Sequence, residues 1–138
     1  MKRNPHSLRV LLIEDDPDGA ASMMLLLQLF GHHVSVARDG PTALRLASAD
    51  VPDLMLVDLG LPGMDGCELA RRARQMPELR GVWLVALTGF GCDEDRRRTR
   101  AAGFDLHLLK SMDPMDLRKL LDRHSEHRRP LNAVGMTA

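Results

Sequence analysis

Cysteine is scarce in this chain: there are two, Cys67 and Cys92, far apart and without a Cys-x-x-Cys spacing. That excludes a disulfide framework and a thiolate zinc site, and leaves reduced thiols in a cytoplasm as the reading. An excess of charge of either sign is also missing, with 19 Lys plus Arg against 19 Asp plus Glu. Such a balance gives no global attraction to nucleic acid or to an acidic membrane surface, so neither is expected as a direct partner. No apolar run approaches the length of a membrane span, and Met1 to Ser7 is polar, without the apolar stretch of a signal peptide. A soluble, cytoplasmic protein is therefore expected. Repeats and low-complexity tracts are absent as well. What is present is 138 residues, 44% of them hydrophobic, enough to bury one continuous core in one domain.

Short β-type apolar runs alternate with helical patterns five times over, which predicts repeated strand-helix units and a parallel sheet covered on both faces. The strands are read at Leu8 to Ile13, His33 to Ala37, Asp53 to Val57, Val82 to Leu87 and Asp105 to Leu109. Helix one starts at Asp16-Pro17 and runs to Phe30, and its near-continuous apolar content predicts a mostly buried helix. Asp39-Gly40-Pro41 opens helix two. Helix three turns Leu69, Ala70 and Ala73 inward and Arg71, Arg72 and Arg74 towards water. Helix four begins at the N-cap candidate Asp93 and ends at Gly103, and Asp113-Pro114 starts helix five. In helix five, Leu117, Leu120 and Leu121 face the sheet, and Arg118, Arg123 and His124 are solvated. From Arg128 to Ala138 the periodicity is lost, and a flexible tail is expected. The domain is read as 8–127, after a short extension over 1–7. Right-handed crossovers make an α/β, doubly wound, three-layer sandwich the economical fold.

In open parallel sheets ligands bind beyond the carboxyl ends of the strands. The polar residues that end each apolar run are Glu14, Asp15 and Asp16, then Asp58, Thr88 and Lys110. Carboxylates brought together repel one another unless a cation neutralises them. Oxygen-only ligands, with no Cys or His cluster, favour Mg2+. Asp58 stands alone at its strand end before Leu59-Gly60-Leu61-Pro62, which makes it the natural nucleophile for a phosphoryl group. The Thr88 hydroxyl and the Lys110 ammonium would stabilise the transferred charge. Lys110 is one of only three lysines against sixteen arginines, and lysine suits a compact phosphate-contacting charge.

These residues resemble the receiver family of two-component response regulators, from about Leu8 to about His127, and the receivers of hybrid histidine kinases in particular. The matching stretches are Leu12-Ile13-Glu14-Asp15-Asp16, Leu56-Val57-Asp58-Leu59-Gly60-Leu61-Pro62-Gly63-Met64-Asp65-Gly66, Ala86-Leu87-Thr88-Gly89, and Ala102-Gly103-Phe104-Asp105 leading to Leu109-Lys110. The resemblance implies a flavodoxin-like sheet of order 2-1-3-4-5 with five helices. It implies that Asp58 is the phosphoacceptor and that Thr88 and Lys110 sense the phosphoryl group. Asp15 and Asp58 would ligate magnesium directly, Glu14 through water, and the Gly60 carbonyl would add a ligand, while Asp16 caps the helix. The donor would be a histidine kinase or a histidine phosphotransfer domain, and output would pass through a downstream protein or a phosphorylation-dependent dimer. Such a domain is a signalling switch, catalysing only its own phosphorylation and dephosphorylation.

Two positions depart from the family pattern. Ser111 follows Lys110 where the family has a cis proline, and a cis bond before a non-proline costs about 3 kcal/mol, so a trans bond is expected. His107 occupies the aromatic switch position in a chain with no tyrosine, implying a pH-sensitive switch alongside Thr88. Phe90 and Gly60 fall where the family tunes hydrolysis. The alternatives are a pseudo-receiver, an interaction module without phosphotransfer, and a haloacid-dehalogenase-type enzyme. The latter needs a second aspartate where Gly60 stands.

Overall fold

In a computed structural model the chain is described over residues 7–61, 63–89 and 93–137, the last twelve by backbone alone. Five strands form one parallel sheet of order β2-β1-β3-β4-β5. They are β1 (Arg9–Ile13), β2 (His33–Ala37), β3 (Leu54–Asp58), β4 (Trp83–Thr88) and β5 (Leu106–Leu109). The helices are α1 (Pro17–Leu29), α2 (Gly40–Ala49), α3 (Gly66–Gln75), α4 (Asp93–Ala102) and α5 (Pro114–Thr137). A short 3-10 turn, Pro77–Leu79, precedes β4. The expected architecture and strand order are therefore observed.

Period-two alternation divides the core between the two faces of the sheet. Leu11, Ile13, Met55, Val57, Leu84 and Ala86 pack with Ala43, Ala47, Leu69, Ala70, Ala73 and Ala102, beneath α2, α3 and α4. Val10, Leu12, Leu54, Leu56, Val85, Leu87 and Leu108 pack with Leu27, Leu117 and Leu121, beneath α1 and α5. β3 is buried along its whole length, as a central parallel strand must be. The aspartates read as caps do cap: Asp16 accepts from the Gly19 amide at 3.2 Å, Asp39 from Thr42 at 2.8 Å and Asp113 from Met115 at 2.8 Å. Among the described residues no helix is long and apolar enough to cross a membrane.

Four readings need correction. Helix α1 is not mostly buried: only Ala20 and Leu27 are, while Leu25 and Leu29 are 59% and 74% exposed. A single layer of helices covers the sheet, so whatever the outer face carries meets water. Asp93 lies inside the first turn of α4 instead of capping it, and its carboxylate complements the helix dipole there. Arg74 is not turned to water. Its guanidinium donates to the carbonyls of Gly103 at 2.9 Å, Arg80 at 3.1 Å and Val82 at 2.8 Å, and to Asp105 at 2.8 Å. Asp105 also accepts from the Leu84 amide at 2.8 Å, so one arginine ties the end of α3 to the starts of β4 and β5. His124 stacks on Trp83, with ring centroids 3.6 Å apart, instead of standing in solvent. The backbone of α5 is helical through Arg128 and on to Thr137.

One-sided burial of α1 sets a clear contrast. Leu27→Ala should cost about 3 kcal/mol by urea denaturation, while Leu29→Gln should stay within about 0.5 kcal/mol of the parent; equal costs would sink the assignment of faces. Arg74→Ala should cost about 2 kcal/mol by the same measurement. Arg74→Lys should restore little of it, because an ammonium cannot span that fork of acceptors.

Candidate phosphoacceptor site

The register of the strands assembles the site. Ile13 pairs with Val57, Asp58 with Leu87, and Thr88 with Leu109, so the carboxyl ends of β1, β3, β4 and β5 come level. The Lys110 amide donates to the Thr88 carbonyl at 2.8 Å, extending the β4-β5 ladder by one residue. Glu14, Asp58, Thr88 and Lys110 thus leave the sheet side by side. Asp58 is the last residue of β3 rather than the first of a loop, and is 6% exposed. Thr88 ends β4 and is 8% exposed.

Glu14, Asp15 and Asp58 bring one carboxylate oxygen each within 4.8 Å of one another. The Lys110 ammonium lies 3.1 Å from Asp58 Oδ1 and 4.0 Å from Glu14 Oε1. The Gly60 amide donates to the same Asp58 Oδ1 at 3.0 Å. Asp16 is not part of this group; its side chain turns to the α1 amides. Burial and the hydrogen-bonded Asp58 carboxylate push the Glu14 carboxyl up to about 7. Burial works against the Asp58 charge too, yet the contacts with Glu14, the Gly60 amide and Lys110 outweigh it and hold Asp58 below the usual carboxylate range. The pair therefore keeps one proton near neutrality, on Glu14. Three carboxylates facing one ammonium leave a negative surplus in a half-buried, oxygen-only donor set, which fits a hard divalent cation such as magnesium.

Lys110 reaches Asp58 even though the peptide linking it to Ser111 is trans. His107 is placed opposite Ala86 in the ladder, and its Nδ1 lies 3.2 Å from Thr99 Oγ1 on α4. The Thr99 hydroxyl also donates to the Arg96 carbonyl at 3.0 Å, so Thr99 links His107 on β5 to the α4 backbone. Nothing in the sequence flagged Thr99, since eight positions separate it from His107 and only the fold closes that gap. Pro62, Phe90 and Cys92, and all but the last residue of the N-terminal extension, lie outside the described residues.

The response regulator receiver domain family matches residues 10–122, most of the chain. This chain belongs to that family. One solved receiver is that of a sensor histidine kinase from Pseudomonas aeruginosa PAO1, with magnesium ion coordinated in its active site cleft. It is 30% identical, superposes with a TM-score of 0.80, and covers 87% of this chain and 98% of its own. An uncharacterized 14.6 kDa protein of Leptolyngbya boryana is 34% identical over 115 residues, 83% of this chain and 88% of that protein. Response regulator PleD of Caulobacter vibrioides is 33% identical over 111 residues, 80% of this chain. The receiver spans 24% of PleD and 13% of a gliding motility regulatory protein of Myxococcus xanthus, so in these relatives the domain is one part of a longer protein.

The proton on Glu14 makes cation binding to this receiver pH-dependent. Below about 7 the group is protonated and a divalent cation must displace its proton, whereas above that value the carboxylate is free. Magnesium affinity measured by titration calorimetry should therefore rise with pH between about pH 6 and about pH 8, by at most about tenfold per unit. Glu14→Gln should flatten the dependence. An unchanged affinity across that window in the parent protein would refute the assignment of the proton.

Proposed function

We propose that residues 8–127 act as a phosphoacceptor receiver in a two-component phosphorelay, accepting a phosphoryl group on Asp58. The observation that carries this reading is the contact of the Lys110 ammonium with Asp58 at 3.1 Å beside the Glu14–Asp15–Asp58 carboxylate group. A nucleophilic carboxylate needs to stay ionised, and its low pKa keeps it so. The donor is a phosphohistidine on a histidine kinase or a phosphotransfer domain. Its N–P bond breaks as a bond forms between phosphorus and an Asp58 oxygen, and the departing imidazole nitrogen takes up a proton.

Lys110 follows the developing charge from the carboxylate to the phosphoryl oxygens, and the Thr88 hydroxyl donates to one of them. Asp15, Asp58, Glu14 and the Gly60 carbonyl would hold magnesium, which would supply charge neutralisation when bound. Drawing Thr88 inward pulls on the end of β4, beside His107, and biases the α4-β5 face between two arrangements. Output then passes through a downstream protein, and the domain works as a cytoplasmic switch rather than turning over a metabolite. No observation favours the pseudo-receiver reading.

Intact-mass spectrometry after incubation with a small phosphodonor tests the proposal directly. One phosphoryl group should add to the parent protein with magnesium, and none should add without magnesium or to Asp58→Asn. Addition to Asp58→Asn at the same rate, or no addition to the parent under any condition, would overturn it.

A further inference from the structure

The sheet ends in two edge strands, and their surroundings differ. β5 is short and lies beside Arg96, Arg100 and Asp105, charges of the kind that keep an edge from pairing with another chain. β2, His-Val-Ser-Val-Ala, has no proline and no Lys, Arg, Asp or Glu, and its register with β1 runs from His33 to Ala37 without a bulge. The His33 amide donates to the Leu8 carbonyl at 2.9 Å, and the Ala37 carbonyl accepts from the Glu14 amide at 3.0 Å. Residues 33, 35 and 37 therefore turn their backbone groups to β1, and the alternation of a parallel ladder aims the amides and carbonyls of Val34 and Val36 outward. Along this edge lies a groove of about 550 Å3, lined by His33, Val34 and Ser35 and, from the two faces of the sheet, by Gln28 of α1 and by Leu46 and Asp50 of α2. Exposed apolar side chains gather around it. Leu46 is in the lining, Val51 lies between the lining residues Asp50 and Pro52, and Leu25 stands three residues before Gln28 on the same side of α1. The groove carries no net charge from Arg9 and Asp50, which pair with each other, and α1 has no charged side chain from Gly19 to Leu29.

We infer that β2 is a pairing surface for a second copy of this chain, the two β2 strands running antiparallel about a two-fold axis at Ser35. In that register the amide and carbonyl of Val34 meet the carbonyl and amide of the partner's Val36, so the outward backbone groups of both strands are satisfied. Ser35 faces its own counterpart between the hydrogen-bonded pairs, where the strands approach most closely and a small neutral side chain fits. An axis perpendicular to the sheet preserves its faces. Each α1 then lies beside the α1 of the other copy and each α2 beside the other α2, which brings Leu25 together on one face and Leu46 and Val51 on the other. A surface without net charge is its own complement, whereas a strongly acidic or basic partner finds no opposite charge there. The pairing would join two five-stranded sheets into one and leave both Asp58 rims open, at opposite ends of the assembly. It requires no phosphorylation.

The test uses the full, unphosphorylated chain. Sedimentation velocity over a range of concentrations should show a monomer–dimer equilibrium with a Kd below about 1 mM. Ser35→Lys and Ser35→Glu each set like charges face to face and should weaken dimerisation about fivefold or more, while an equimolar mixture of the two should recover it. Gln75→Lys, an exposed change on α3, should leave the equilibrium unaltered. Hydrogen exchange gives a reading that needs no substitution: the Val34 and Val36 amides of the parent should exchange more slowly at high than at low concentration. A parent that stays monomeric at about 1 mM would overturn the proposal and leave the edge to an extended segment of another protein. So would a dimer indifferent to Ser35→Lys, a dimer whose Val34 and Val36 amides gain no protection, or mixed Ser35→Lys and Ser35→Glu chains that fail to associate.

Discussion

The in-register parallel pairing of β1, β3, β4 and β5 is the constraint on which the rest of the molecule depends. Every strand runs the same way, so every chain exit at the carboxyl end lies on one rim, and each residue there must face its counterparts from neighbouring strands. Two of those exits are acidic, one is a threonine and one is a lysine, and the proximity of their charges has an electrostatic cost that no single residue reveals. The surplus negative charge is relieved by holding a proton on Glu14 and by aiming Lys110 and the Gly60 amide at one oxygen of Asp58. The same arrangement keeps Asp58 ionised and the site receptive to a cation. Charge repulsion and reactivity are thus two aspects of one geometry.

Helix capping adds to this polarity. Asp16, Asp39, Asp65 and Asp113 each turn a carboxylate back onto the first turn of a helix, and in a parallel α/β unit every such turn follows a strand end. Local stability therefore draws acidic residues towards the rim where the chemistry sits. Of those at the ends of β1, only Glu14 and Asp15 join Asp58, because Asp16 is already committed to its helix.

Rigidity and mobility divide along the sheet. β3 is buried throughout and anchors Asp58. At the other side, β5 is a short edge strand and α4 buries only Thr99 and Ala102. What fastens that side is polar and specific: Arg74 spanning the starts of β4 and β5, and the Thr99 to His107 hydrogen bond between α4 and β5. Few buried apolar contacts make such a region the least costly part of the fold to rearrange.

By itself the sequence determined the elements and their order. Asp-Pro or Asp-Gly-Pro signals start α1, α2 and α5, and apolar runs mark all five strands to within a residue or two. The polar residue at the end of each run named Glu14, Asp58, Thr88 and Lys110 in advance. Those features are local, set by backbone preferences and periodicity, and so they can be read from neighbours in the chain. Tertiary structure alone decided which side of α1 meets water, that Arg74 binds carbonyls rather than solvent, that His124 stacks on Trp83, and that Thr99 hydrogen-bonds His107. It also decided that the Glu14 carboxyl is pushed up and the Asp58 carboxyl down. Each of these depends on what a distant segment places within a few ångströms, and periodicity reports the face a residue occupies without reporting what covers it.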